Sequence, residues 1–115
     1  MRKLVALVAL VVFMPTTALA YRTDPATVKH QIARAWMGND AKAIRVANCE
    51  SSLNPKAVDP SRTYFGLWQF SRSTWHAYGG PGTDPRAVNA YTQTQVAWRL
   101  FRSQGWRPWP SCGRA

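Results

Sequence analysis

The sequence predicts an α+β fold, mostly helical, with one small β-hairpin and one disulfide. Three observations lead there. Stretches with apolar residues at helical spacing each follow a capping residue. Residues 57–68 break that period and carry turn and strand residues instead. The chain also holds two cysteines, an even number that reads as one bond in an exported protein.

Export is legible at the start. Arg2 and Lys3 precede an unbroken apolar run from Leu4 to Met14; Pro15 ends it, and Ala18-Leu19-Ala20 supplies the small residues of a cleavage site. Residues 1–20 are therefore expected to be a signal peptide, with 21–115 the mature, secreted domain from Tyr21. A run of that length, at about 1.5 Å per residue, covers only about half the hydrocarbon core, so no stable membrane anchor is expected.

Within 21–115, Asp24-Pro25 is a cap followed by proline, and Val28, Ile32 and Trp36 recur at helical spacing. Gly38-Asn39 should end that helix. Asp40 should cap the next, which carries Ile44 and Ala47 toward Cys49 and Glu50 and stops at Asn54-Pro55. Asp59-Pro60-Ser61-Arg62 signals a turn, and Tyr64, Phe65 and Leu67 suit the strands of the hairpin. Ser71 to Tyr78 reads as a short helix closed by Gly79-Gly80-Pro81-Gly82. Asp84-Pro85 should open the longest helix, ending at Gly105, with Val88, Tyr91, Trp98 and Phe101 as its apolar stripe. Gln95 falls on that stripe, an odd place for an amide. The tail from Trp106 to Cys112 should lie extended.

The charge narrows the partners. Without Arg2 and Lys3, thirteen basic residues face five acidic ones, a net of +8 that favours anionic partners. The basic residues are scattered singly, so no nucleic-acid patch is expected. Two cysteines with the distant His30 and His76 give no zinc spacing, and neither metal nor cofactor is expected. A Cys49 nucleophile served by His76 is a weaker alternative to the disulfide.

The acids sort by elimination. Asp24, Asp40 and Asp84 stand where N-caps are wanted, and Asp59 begins a turn. Glu50, the only glutamate, has no such task. It ends a helix, where the dipole disfavours its charge, and half-burial there would raise its pKa, as a general acid requires. On spacing alone, an ordinary solvated glutamate near a helix end is the simpler reading.

A chain of motifs reverses that preference. Ala47-Asn48-Cys49-Glu50-Ser51 is followed by Tyr64-Phe65-Gly66-Leu67-Trp68-Gln69-Phe70, Ser73-Thr74-Trp75, Tyr91-Thr92, Gln95-Val96-Ala97, Gln104-Gly105-Trp106 and Trp109-Pro110-Ser111-Cys112. In order and spacing, Val46 to Cys112 resembles the lysozyme-like lytic transglycosylases, in particular the resuscitation-promoting-factor branch of wall enzymes. The family's catalytic glutamate falls on Glu50 and its paired cysteines on Cys49 and Cys112. The resemblance departs at Ser52-Leu53-Asn54-Pro55, where resuscitation factors usually carry glycines.

The resemblance implies cleavage of peptidoglycan glycan strands between N-acetylmuramic acid and N-acetylglucosamine, at the cell wall, by a monomer. Tyr64, Trp68 and Trp75 become candidates for stacking on sugars, Gln69 and Gln95 for holding N-acetyl or hydroxyl groups, and Tyr91 for orienting Glu50. Each residue also has a plain structural reading, as core ring or satisfied amide. Gly66 would let backbone approach a sugar closely. Anionic wall polymers are further expected partners. Two rivals stand beside this reading: a muramidase with Asp59 as second carboxylate, and a non-catalytic cationic wall-binding or antimicrobial protein.

Overall fold

The computed structural model describes residues 23–115, so the signal peptide of residues 1–20 and the mature start at Tyr21 lie outside the described residues. Four α-helices carry the described chain. They are α1 (Pro25–Ala35), α2 (Asp40–Ser51), α3 (Arg72–Ala77) and α4 (Ala90–Gln104), with 3-10 turns at Pro85–Ala87 and Cys112–Arg114.

Helix α1 starts as its local chemistry dictates. Asp24 accepts from Thr27 N at 3.1 Å, Pro25 takes the first turn, and Val28, Ile32 and Ala35 form the buried face. The start of α2 corrects the expectation. Asn39, not Asp40, is the cap, accepting from Lys42 N at 3.2 Å. Asp40 is instead the first helical residue, where its charge meets the positive end of the dipole. The end of α2 comes at Ser51, before Asn54-Pro55, because Ser52 (φ 55°) and Leu53 (φ 60°) turn left-handed in succession. Each costs about 1–2 kcal/mol without glycine's freedom.

The expected hairpin shrinks to two isolated antiparallel bridges, Val58 to Phe65 and Phe65 to Phe70. Asp59 is the reason. Its carboxylate accepts from the backbone of Ser61 (3.2 Å), Thr63 (2.8 Å) and Tyr64 (2.7 Å) and from the Ser61 hydroxyl. A side chain that takes these donors removes them from a strand ladder.

Asp84-Pro85 also opens less than expected. It starts only the 3-10 turn, where Asp84 accepts from Arg86 N and pairs with its guanidinium at 2.8 Å. Val88 is then extended, and Asn89 caps α4 by accepting from Thr92 N at 2.9 Å. The tail is coiled rather than extended, closed by Trp109 N to Trp106 O at 2.9 Å and Gly113 N to Trp109 O at 2.7 Å.

Helix α1 packs along α4 and more lightly on α2. The buried face of α4 is Ala90, Gln93, Thr94, Ala97 and Leu100 with Val96, not the stripe the apolar residues suggested. Val88, Tyr91, Trp98 and Phe101 are only partly buried, because the small residues of the true face admit α1 more closely. Trp36 anchors a second layer of rings. It stacks on Trp68 (centroids 5.3 Å) and Trp106 (5.4 Å) and meets Trp98 and Phe101 at angles. Trp109 joins through Trp68 at 5.5 Å.

Gln93 holds this core to the loop before it. Its Oε1 accepts from Leu67 N at 2.8 Å, and its Nε2 donates to Pro55 O (3.1 Å) and Val88 O (2.9 Å). Gln93→Leu should cost about 2–3 kcal/mol, since it strands a buried N–H and two carbonyls. Urea unfolding would check this; an unchanged midpoint would mean that the loop finds other partners.

Candidate active site

Glu50 sits one residue before the end of α2, and three devices hold that end in place. The single Ser51 hydroxyl proton is shared between Ala47 O (3.0 Å) and Leu67 O (2.8 Å), tying the helix to the bridged loop. Cys49 is bonded to Cys112, 63 residues on, with Cα atoms 5.6 Å apart. That bond leaves no free thiol for a Cys49–His76 pair. Trp109 Nε1 donates to Trp68 O at 3.0 Å, so the strap 107–112 is fastened at two points beside Glu50.

The result is a cavity of about 560 Å³ lined by Glu50, Tyr64, Gln69 and residues 107–112. It does not stop there. Tyr64, Gln69, Pro108 and Trp109 also line a constriction of about 80 Å³, and Thr74, Leu100 and Pro108 carry that into a further hollow of about 460 Å³ beside Tyr78 and Gln104. The three form one groove. An elongated groove fits an extended chain better than a small ligand.

The electrostatics of the two candidate acids differ in direction. Burial pushes the Glu50 carboxyl above its ordinary range. No hydrogen bond or ion pair with the described residues pulls it back. Asp59 is the opposite case: the Ser61 hydroxyl first, then the backbone of Tyr64, Thr63 and Ser61, lower it to about 2. It does not line the cavity of Glu50. Among the described residues no group of three or more His, Cys, Asp or Glu could hold a metal ion, and no helix is long and apolar enough to cross a membrane.

The structure brings Glu50, Tyr64 and Gln69 together, sets Trp68 behind the constriction that Tyr64 and Gln69 also line, and keeps Trp75, Tyr91 and Gln95 out of both. Tyr64 is 46% exposed and presents an open ring to the groove. Gln69 is held in a left-handed turn (φ 53°), its Nε2 donating to Gly66 O at 2.9 Å. Strain of this kind, about 1–3 kcal/mol, concentrates at functional sites. Trp68 is fully buried, its Nε1 donating to Thr94 Oγ1 at 3.1 Å, and so is no stacking platform. Trp75 is buried as well, bonded to Pro81 O and packed on Phe70.

Tyr91 and Gln95 do not line the Glu50 cavity; Tyr91 lies under the Arg34 guanidinium at 5.0 Å. The close approach at Gly66 (φ 85°) is to Gln93, whose Oε1 would clash with an added Cβ, and not to open space. Sequence reasoning passed over Gln93 and the strap residues Arg107 and Pro108. The strap had left a signal: a cysteine bonded beside Glu50 must bring the chain before Cys112 with it.

A family model described as a transglycosylase-like domain matches residues 37–112. The chain is 37% identical over 99 residues to resuscitation-promoting factor RpfC of Mycobacterium tuberculosis, covering 86% of this chain and 69% of that one. It is 44% identical over 75 residues to resuscitation-promoting factor Rpf1 of Corynebacterium glutamicum, covering 64% of this chain and 38% of that one. Resuscitation-promoting factor RpfE of M. tuberculosis is 42% identical over 71 residues, with 60% and 39% covered. The chain thus spans well under half of two of these relatives. Mostly helical, closed by one disulfide and matched over two thirds of its length, the chain has the lysozyme-like fold and belongs to the transglycosylase-like family.

Proposed function

We propose that this protein cleaves peptidoglycan glycan strands between N-acetylmuramic acid and N-acetylglucosamine, as a lytic transglycosylase with Glu50 as its single acid and base. The observation that carries this is a lone, half-buried carboxyl in an open groove with no second carboxylate lining it. A raised pKa lets Glu50 keep its proton to higher pH than an ordinary carboxyl, so it can donate to the glycosidic oxygen as that bond breaks. The ionised Glu50 then takes the proton of the muramoyl 6-hydroxyl while that oxygen bonds to C1. The product is a 1,6-anhydro ring, and Glu50 regains its proton. Neither step consumes water.

A hydrolase needs a nucleophile or base in addition to the acid. Asp59 is poorly suited, because its oxygens are occupied by turn donors and its basicity is low. Tyr64 supplies a ring for sugar stacking, and Gln69 supplies an amide beside it. The net of +8 draws the protein to an anionic wall.

Mass spectrometry of digests of purified peptidoglycan tests the mechanism. The expected fragments end in 1,6-anhydromuramic acid, and Asp59→Asn should leave most of the activity once correct folding has been checked. Reducing muramic acid ends, together with a folded but inactive Asp59→Asn, would establish a two-carboxylate hydrolase instead.

A further inference from the structure

Among the described residues, the Glu50 cavity contains one other charged side chain, Arg107. It stands on the strap 107–112 that Trp109 and Cys112 fasten. Pro108 and Pro110 flank it on the C-terminal side, Trp109 is bonded to Trp68, and Cys112 is bonded to Cys49. The root of its guanidinium is also fixed, since Nε donates to Gln104 O at the end of α4, at 3.3 Å. Arg107 has no carboxylate within ion-pair distance among the described residues, and Glu50 is no exception. The outer edge of the guanidinium therefore has no acidic partner from the chain, on a wall held at two points.

The chemistry of the substrate, on the reading above, offers a partner. N-acetylglucosamine is uncharged. Each muramoyl unit carries a lactyl ether that ends in a carboxyl, either free or joined to a stem peptide with carboxylates of its own. A guanidinium fork pairs with a carboxylate through two parallel bonds, which a lysine ammonium does not match. We propose that Arg107 is a specificity residue that binds a carboxylate on the muramoyl unit's lactyl arm and so sets which sugar lies beside Glu50. The inference rests on the glycan reading. It assigns Arg107 to recognition and leaves proton transfer to Glu50.

Binding separates the two claims. Soluble glycan fragments would be titrated calorimetrically into the mature Glu50→Gln protein, with and without Arg107→Ala or Arg107→Lys, so that cleavage does not intervene. Four fragments are needed: peptide-free strands, stem-bearing strands, and each of these with its carboxyls converted to amides. Arg107→Ala should weaken binding of the carboxylate forms about tenfold, the scale of one charge-assisted contact, and leave the amidated forms unchanged. Arg107→Lys should recover only part of that loss, and added salt should shrink the difference. A contrast already present in peptide-free strands assigns the lactyl carboxylate, and a contrast confined to stem-bearing strands assigns the peptide. Equal losses on charged and amidated fragments, or no loss, would overturn the role of Arg107 while the glycan reading stands. Failure of the parent protein to bind any fragment would overturn both.

Discussion

Glu50→Gln should lower glycan cleavage by about a thousandfold while the protein stays folded. General acid–base transfer contributes about 10²- to 10⁴-fold, and here one carboxyl serves both proton steps. Stability should move the other way. Burial raises the folded pKa of Glu50 above its ordinary value, so the folded state holds that proton more tightly than the unfolded one. Stability therefore falls as pH rises from the ordinary value through the raised one, and the whole penalty is present only above the raised one. Glutamine carries no charge, so the variant should melt no lower than the parent at pH 7. Release of soluble fragments from purified peptidoglycan measures the first effect, and circular dichroism melting the second. A folded Glu50→Gln that still cuts at a tenth of the parent rate would remove Glu50 from the chemistry. By the same titration, the parent's rate should fall as pH rises through the raised pKa.

Opening the Cys49–Cys112 bond should have the largest effect on stability. It closes a loop of 63 residues, for which the chain-entropy model gives about 4 kcal/mol. At about 4–8 °C per kcal/mol for a domain of this size, the melting temperature should drop by about 15–30 °C on reduction. Activity should suffer below the new melting point too, because the bond fastens the strap opposite Glu50. Melting curves with and without reductant, repeated on the Cys49→Ala, Cys112→Ala double variant, measure this. Superimposed curves would show that Trp109, bonded to Trp68 O, holds the strap without the disulfide.

The helices were legible because a cap is a local event. Asp24 before Pro25 and Ser71 before Arg72 each satisfy an N–H three residues ahead, within reach of any chain that turns there. Which residue caps was less legible. Asn39 displaces Asp40 and Asn89 displaces Asp84 because the choice depends on the backbone angle each residue is given, and packing sets that angle. The hairpin failed for a related reason: Asp59 satisfies donors that the strand residues alone appeared to reserve for a ladder. The Cys49–Cys112 pair needed only a count.

By itself, then, the sequence determined the helical plan, the disulfide, and Glu50 as the acid without a structural task. All three rest on residue type and short-range order. Tertiary structure decided what surrounds that acid. A tryptophan's composition and spacing are the same whether its ring is buried or open, and packing placed Trp68 and Trp75 in the core and left Tyr64 exposed. The buried amide proved to be Gln93 rather than Gln95, because the approach of α1 selects the face of α4 that is covered. The groove and Arg107 within it exist only where α2, the bridged loop and the strap converge, and that convergence joins residues too distant in sequence for any periodicity to connect.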